Sequence, residues 1–287
     1  MPDPPSFTEE QIKKCKESGD FRPILFEWYK FVGQLVAVVA AIQRNSEVCN
    51  SIPIRHYHIL TGLLNRCSRL MLANIALSHE GRFGETTAII DRCIFESAIK
   101  VSWLSTNPSQ EKFDQYLADG LKPELEFKGI IQKNVSERGH TVRIEQRMLD
   151  SIERCISTSG LTEQSIRQTK KLPDLASMLR DISFDRTLYV AAQRMGSHHV
   201  HGTWPSLLFH YLEEVKSDSQ DFVPSGHDSS THINQFIFVS TMVLLASRAH
   251  VQYAIKGPEA EQFTKLFTST LEEIESYYPE IIDDDFT

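Results

Sequence analysis

The stretch Glu85-Thr-Thr-Ala-Ile-Ile-Asp-Arg-Cys-Ile-Phe-Glu-Ser-Ala-Ile-Lys-Val-Ser-Trp-Leu-Ser105 decides the fold. Ile89, Ile90, Cys93, Ile94, Phe95, Ala98, Ile99, Val101, Trp103 and Leu104 make it a helix that is apolar nearly all round. Such a helix belongs inside a bundle. Arg92 and Glu96, at i and i+4, share the stripe of Ile89, Cys93 and Trp103. A buried charged pair costs several kcal/mol per ion and persists only with good partners, whereas a partly exposed intrahelical pair is worth a few tenths of a kcal/mol. The wheel alone leaves both readings open.

Outward from this helix the same three- and four-residue apolar spacing recurs. Leu60, Leu63, Leu64, Cys67, Leu70, Met71 and Ile75 mark a helix from about Ile54 to Glu80, and the strongest apolar helix of the C-terminal half runs from about His232 to Ile255. These three form the expected centre. Thr8 caps a short helix that stops at Gly19, and a second helix follows from about Pro23 to Arg44. Beyond Asn107-Pro108, Ser109 opens a helix with a kink at Pro123, and shorter helices follow from Thr141, Leu161 and Asp174. A helix from Pro205 includes Leu207, Leu208, Tyr211, Leu212 and Val215, a Ser/Asp/Gly-rich loop spans Ser217 to Ser230, and Pro258 opens the last helix. No strand-like alternation is present. The expectation is an all-α bundle of about ten helices in a single domain. Residues 1–53 are its N-terminal helices, 54–256 its core, and 257–287 a C-terminal helix ending in the solvated acids Asp283 to Asp285. The polar region from Glu137 to Lys171 is a helical excursion on that bundle.

Composition narrows the function. With 287 residues and 41% hydrophobic content the chain buries a sizeable core, and a net charge of −8 excludes a general nucleic-acid coat or a polybasic membrane binder. A polyanion has to meet a local basic site; RNA fits that expectation, DNA and membranes do not. Five scattered cysteines without a Cys-x-x-Cys pair point to a reduced cytoplasmic protein. The longest apolar runs, Phe31 to Ile42 and Phe236 to Ala246, are shorter than a bilayer span. No metal and no cofactor is expected, since His-Glu-x-x-His and Gly-rich phosphate loops are absent.

Chemistry concentrates in Tyr189-Val-Ala-Ala-Gln-Arg-Met-Gly-Ser-His-His-Val-His-Gly-Thr-Trp204. On a helix Arg194, His198 and His201 share a face while His199 points elsewhere. A guanidinium grips phosphate through its planar fork, and an imidazole titrates near neutrality. Together they suit phosphodiester chemistry or anion binding. The structural alternative is a helix ending at Gly202, its cationic side chains complementing the dipole. Met195 and Trp204 read as core.

The series Arg92-Cys-Ile-Phe-Glu96, Phe113-x-x-Tyr116, Tyr189 and Ser197-x-x-x-His201-Gly202 resembles the bacterial domain-of-unknown-function family 5677 over about Leu60 to Ile255. The resemblance implies an all-helical intracellular protein without an established activity, in which Arg92, Glu96, Ser197 and His201 come together. A looser resemblance is to the HEPN superfamily, whose ribonucleases carry an Arg followed, after four to six intervening residues, by a His. Arg194 with His199 and Arg194 with His201 both fit, and Met195 departs from the polar residue common after the Arg. That resemblance implies a homodimeric, metal-independent ribonuclease with Arg194 and His201, or His199, as catalytic residues. The alternative is a non-catalytic binding module in which Arg92, Glu96, Ser197, His198 and Tyr189 hold a ligand or a partner.

Overall fold

The computed structural model describes residues 1–78, 82–184, 190, 196–215 and 221–277. Arg194, Tyr189, Met195 and the acids Asp283 to Asp285 lie outside them. The fold is mostly helical, as the spacing predicts, and groups into two compact units.

The larger unit comprises Met1–Thr106 and the described residues from Leu175 onward. Its helices are α1 (Glu9–Ser18), α2 (Arg22–Ala41), α3 (Ile54–Leu77), α4 (Gly84–Ser105) and α8 (Leu175–Asp181), then α9 (Trp204–His210), α10 (Ile233–Ala254) and α11 (Gly257–Ser276). A further helical segment lies at 196–200. Helices α2, α3, α4 and α10 pack in a ring, each against the next, with α11 on α10 and α8 on α4. Leu35, Leu60, Leu64, Met71, Ile94 and Ile99 are fully enclosed there, each worth about 1.5–3 kcal/mol of transfer free energy. The core thus includes α2 alongside the three expected helices. By length and composition α2 could also cross a bilayer, although Arg22, Glu27 and Lys30 break its apolar run. Here it buries Leu25, Trp28, Tyr29, Val32, Val36 and Val39.

Local signals set the helix ends. Thr8 and Gln11 form a reciprocal capping box on α1, which ends at Gly19 with φ 67°. Gly33 lets α3 approach closely: Ser68 Oγ donates to its carbonyl at 2.8 Å, and a Cβ there would stand 3.3 Å from Met71 Cβ. Before α4, Phe83 is left-handed (φ 60°), and the Gly84 amide donates to the Ser229 carbonyl at 2.8 Å. A side chain at Gly84 would collide with the carbonyls of Ser229 and Ser230.

The smaller unit, Asn107–Asp174, comprises α5 (Gln110–Arg138), α6 (Arg143–Ser159) and α7 (Glu163–Gln168). The polar region from Glu137 lies within it. Ala118, Leu121, Leu125, Ile131, Ile152, Ile156 and Ile166 form its core. Lys128 bridges Glu153 at 3.0 Å and Glu163 at 2.7 Å, and Arg138 pairs with Glu145 across the α5–α6 turn. Pro123 lies inside α5, which extends to Arg138.

Two expectations are corrected: Trp204, read as core, is 57% exposed, and a helix is shorter than its spacing predicts. The helix read through Val215 stops at His210, and Leu212–Glu214 (β1) pairs antiparallel with Phe222–Pro224 (β2) inside the stretch read as loop. Three-residue strands are too short to show alternation, and their pairing is a tertiary choice that local spacing does not carry.

Candidate acid-base site

Two polar clusters meet at the segment 196–200. In the first, Arg92 pairs with Glu96 at 3.1 Å, and its guanidinium also donates to Ser197 Oγ. The side chains of Arg92 and Glu96 are 17% and 31% exposed, so the pair sits at the rim of the core with its heads partly in water. Gly196 is buried against the same arginine: a Cβ there would fall 3.1 Å from Arg92 Cγ and Cδ and nearer still to its Cβ. Arg92, Glu96 and Ser197 therefore come together. His201 stands exposed beyond them, its amide bonded to the Ser197 carbonyl at 3.0 Å. The segment ends at Gly202 with φ 53°.

The second cluster is made of imidazoles. His198 Nδ1 lies 2.7 Å from Thr203 Oγ1, and His199 Nδ1 lies 3.1 Å from Ser206 Oγ. The rings of His199 and His210 meet edge to face with centroids 4.7 Å apart. His210 Nδ1 in turn lies 2.6 Å from Ser229 Oγ, and the Ser229 carbonyl accepts from Gly84 at the start of α4. Burial, and then the charge of His210, hold the His199 pKa below the ordinary imidazole range, against a smaller upward pull from Glu85. His199 is then a neutral base at pH 7. Glu85 is buried, and its Oε2 has no hydrogen-bond partner among the described residues. Tyr211 feels the same carboxylate: burial first, then Glu85, push its phenol pKa up.

A third group lies deeper and escapes a reading of the sequence. Asp91 Oδ1 accepts from Asn74 Nδ2 at 2.5 Å and from the Tyr29 hydroxyl at 3.4 Å, and Asn74 also bonds Tyr29 at 3.1 Å. Burial raises the Asp91 pKa to about 8. A cavity of about 20 Å³ beside it, lined by Asp91, Arg92, Gln235, Gly196 and Phe238, has room for one water. With Glu85 at its start, α4 thus buries a second acid, Asp91, one residue before the Arg92 that the helical wheel singles out. Its signal was its place on the stripe of Ala88, Ile94 and Ala98. His210 was hidden in another way, since it lies in a stretch that reads as a plain apolar helix through Leu207, Leu208, Tyr211 and Leu212. Among the described residues no three His, Cys, Asp or Glu side chains are grouped to hold a metal ion.

The helical core, the 196–200 segment and the clusters built on it define an all-α protein of one family. A model of the family of unknown function DUF5677 matches residues 57–220, more than half of the chain, and the chain belongs to that family. No curated protein and no solved structure matches it.

Proposed function

We propose that this protein is a metal-independent ribonuclease whose working groups are the imidazoles of His199 and His210. The contact between these two rings, with His199 held neutral, carries the reading. In the reaction the neutral imidazole of His199 accepts the proton of a ribose 2′-hydroxyl, and that oxygen attacks the adjacent phosphorus. The bond from phosphorus to the 5′-oxygen breaks, and the second imidazole protonates the leaving oxygen. The products are a 2′,3′-cyclic phosphate and a free 5′-hydroxyl. In this scheme His199 takes the role of base and His210 that of acid. Arg194 enters as the cation for the phosphorane, on its sequence position five residues before His199. His201 is exposed and remains the alternative base. The test is incubation of purified protein with mixed RNA in EDTA. Cleavage leaving cyclic phosphate ends, lost in His199→Ala and His210→Ala variants that keep the wild-type Tm, supports the reading. Cleavage unchanged in both variants overturns it.

A second reading, a non-catalytic module, rests on the first cluster. Arg92 is held by Glu96 and Ser197 and capped by Gly196, as expected of a group that fixes the 196–200 segment on α4. Under it, Arg92→Ala lowers Tm and leaves every assay of chemistry silent.

A further inference from the structure

Helix α9 is packed inside out. It buries Ser206 and half-buries His210, while Trp204, Leu207 and Phe209 are 57%, 38% and 74% exposed. Tyr211, immediately after it, is 43% exposed, and the ring of Trp204 meets that of Phe222 in β2 edge to face, centroids 5.8 Å apart. Helices of this length normally turn such side chains inward. The aromatic character is local. Five large aromatic side chains are exposed among the described residues: Phe83, Phe127, Trp204, Phe209 and Tyr211. Only Phe127 lies in the other unit. Phe83 precedes the Gly84 whose amide holds Ser229, the residue that also holds His210. Trp204, Phe209 and Tyr211 thus lie on or directly after the helix that carries His210, and Phe83 adjoins the Gly84 whose amide bonds Ser229; Arg82, next to Phe83, and His201, after the 196–200 segment, are exposed too.

We infer that this aromatic corner holds unstacked bases of single-stranded RNA beside the imidazole pair. The inference rests on the ribonuclease reading and names its substrate class. Phosphodiester cleavage through a 2′-hydroxyl needs the strand splayed so that the 2′-oxygen lies in line with the leaving oxygen, and a regular duplex does not allow this. Aromatic rings in water hold splayed bases by stacking, whatever their identity, because every base has a π-face. In a chain of net charge −8, recognition falls to the bases more than to the phosphate backbone.

The three tryptophans make the test specific. Trp28 and Trp103 are 5% and 2% exposed, so external quenching of tryptophan fluorescence reports Trp204. The probe is a short 2′-O-methyl oligonucleotide, which lacks the attacking hydroxyl and stays intact. A strand of the same length made of abasic sites carries the same phosphates without bases. The expected result is saturable quenching by the base-bearing strand, at least tenfold weaker binding of the abasic strand, and about tenfold weaker binding by Phe209→Ala. Trp204→Phe should abolish the signal, with Tm unchanged in both variants. Equal binding of the two strands, or none, overturns the inference. So does a concentration-dependent dimer in gel filtration that Phe209→Ala dissociates, because the face would then be an interface between copies. Binding as expected in a protein that cleaves no RNA keeps the inference and removes the ribonuclease reading alone.

Discussion

His199 and His210 stand with ring centroids 4.7 Å apart, each imidazole anchored at Nδ1 by a different serine, Ser206 and Ser229. The anchors fix both rings through one nitrogen and leave Nε2 of each as the atom that can exchange a proton with a third group. Since burial comes first and His210 second among the causes of the lowered His199 pKa, His210→Asn should raise the His199 midpoint toward the ordinary imidazole value. Two-dimensional NMR titration of the His199 ring protons reads this without any substrate. A midpoint that stays in place in His210→Asn would show that the rings do not interact.

Asp91 imposes a pH dependence of one sign. Its folded pKa, about 8, lies above the unfolded value, so the unfolded state binds fewer protons than the folded state between about pH 4 and pH 8. Stability from this group is full below pH 4 and is lost as pH rises to 8. Asp91→Asn keeps an acceptor for Asn74 and Tyr29 and should be more stable than wild type at pH 8, by a few kcal/mol. Urea unfolding at several pH values checks it; a variant less stable than wild type at pH 8 would contradict it.

His250 acts in the opposite sense. Burial lowers its pKa to about 4, so the unfolded state binds the extra proton between about pH 4 and 6.5, and stability falls as pH drops through that window. The slopes from His250 and Asp91 cancel there, and above pH 6.5 only that of Asp91 remains. Asp91→Asn should therefore reveal a stability that climbs from pH 4 to 6.5 and then levels. A profile of that variant flat across the window would remove His250 from the account.

Gly196→Ala should cost about 1–3 kcal/mol, because its new methyl meets the side chain of Arg92. The nearest atom is Arg92 Cβ, which alanine retains, so Arg92→Ala should not rescue Gly196→Ala. Thermal melts of the two single variants and the double variant decide this, and recovery of the wild-type Tm in the double variant would refute the close approach.

How much of this was legible follows from the range of each signal. Helix α4 announced itself, because Ile94, Phe95, Ala98, Ile99 and Leu104 repeat one environment over several turns. The Arg92 to Glu96 pair was likewise a matter of local spacing, and its join to Ser197 came through family resemblance. The His199 to His210 contact depends on the turn at Gly202, which folds α9 back on the 196–200 segment, and no periodicity encodes that return. Trp204 misled for a related reason: its apolar character implies burial only if α9 turns that side inward, and α9 turns Ser206 inward instead. Asp91 shows the converse, an acid in the core whose partners Tyr29 and Asn74 lie 62 and 17 positions away in sequence.

The most direct measurement is cleavage, in EDTA, of an oligonucleotide that carries one ribose in an otherwise 2′-deoxy single strand. The account predicts a single cut on the 3′ side of that ribose, leaving a 2′,3′-cyclic phosphate, and its loss in folded His199→Ala and His210→Ala. Cutting at deoxy positions, or a cut that both variants still make, would contradict it.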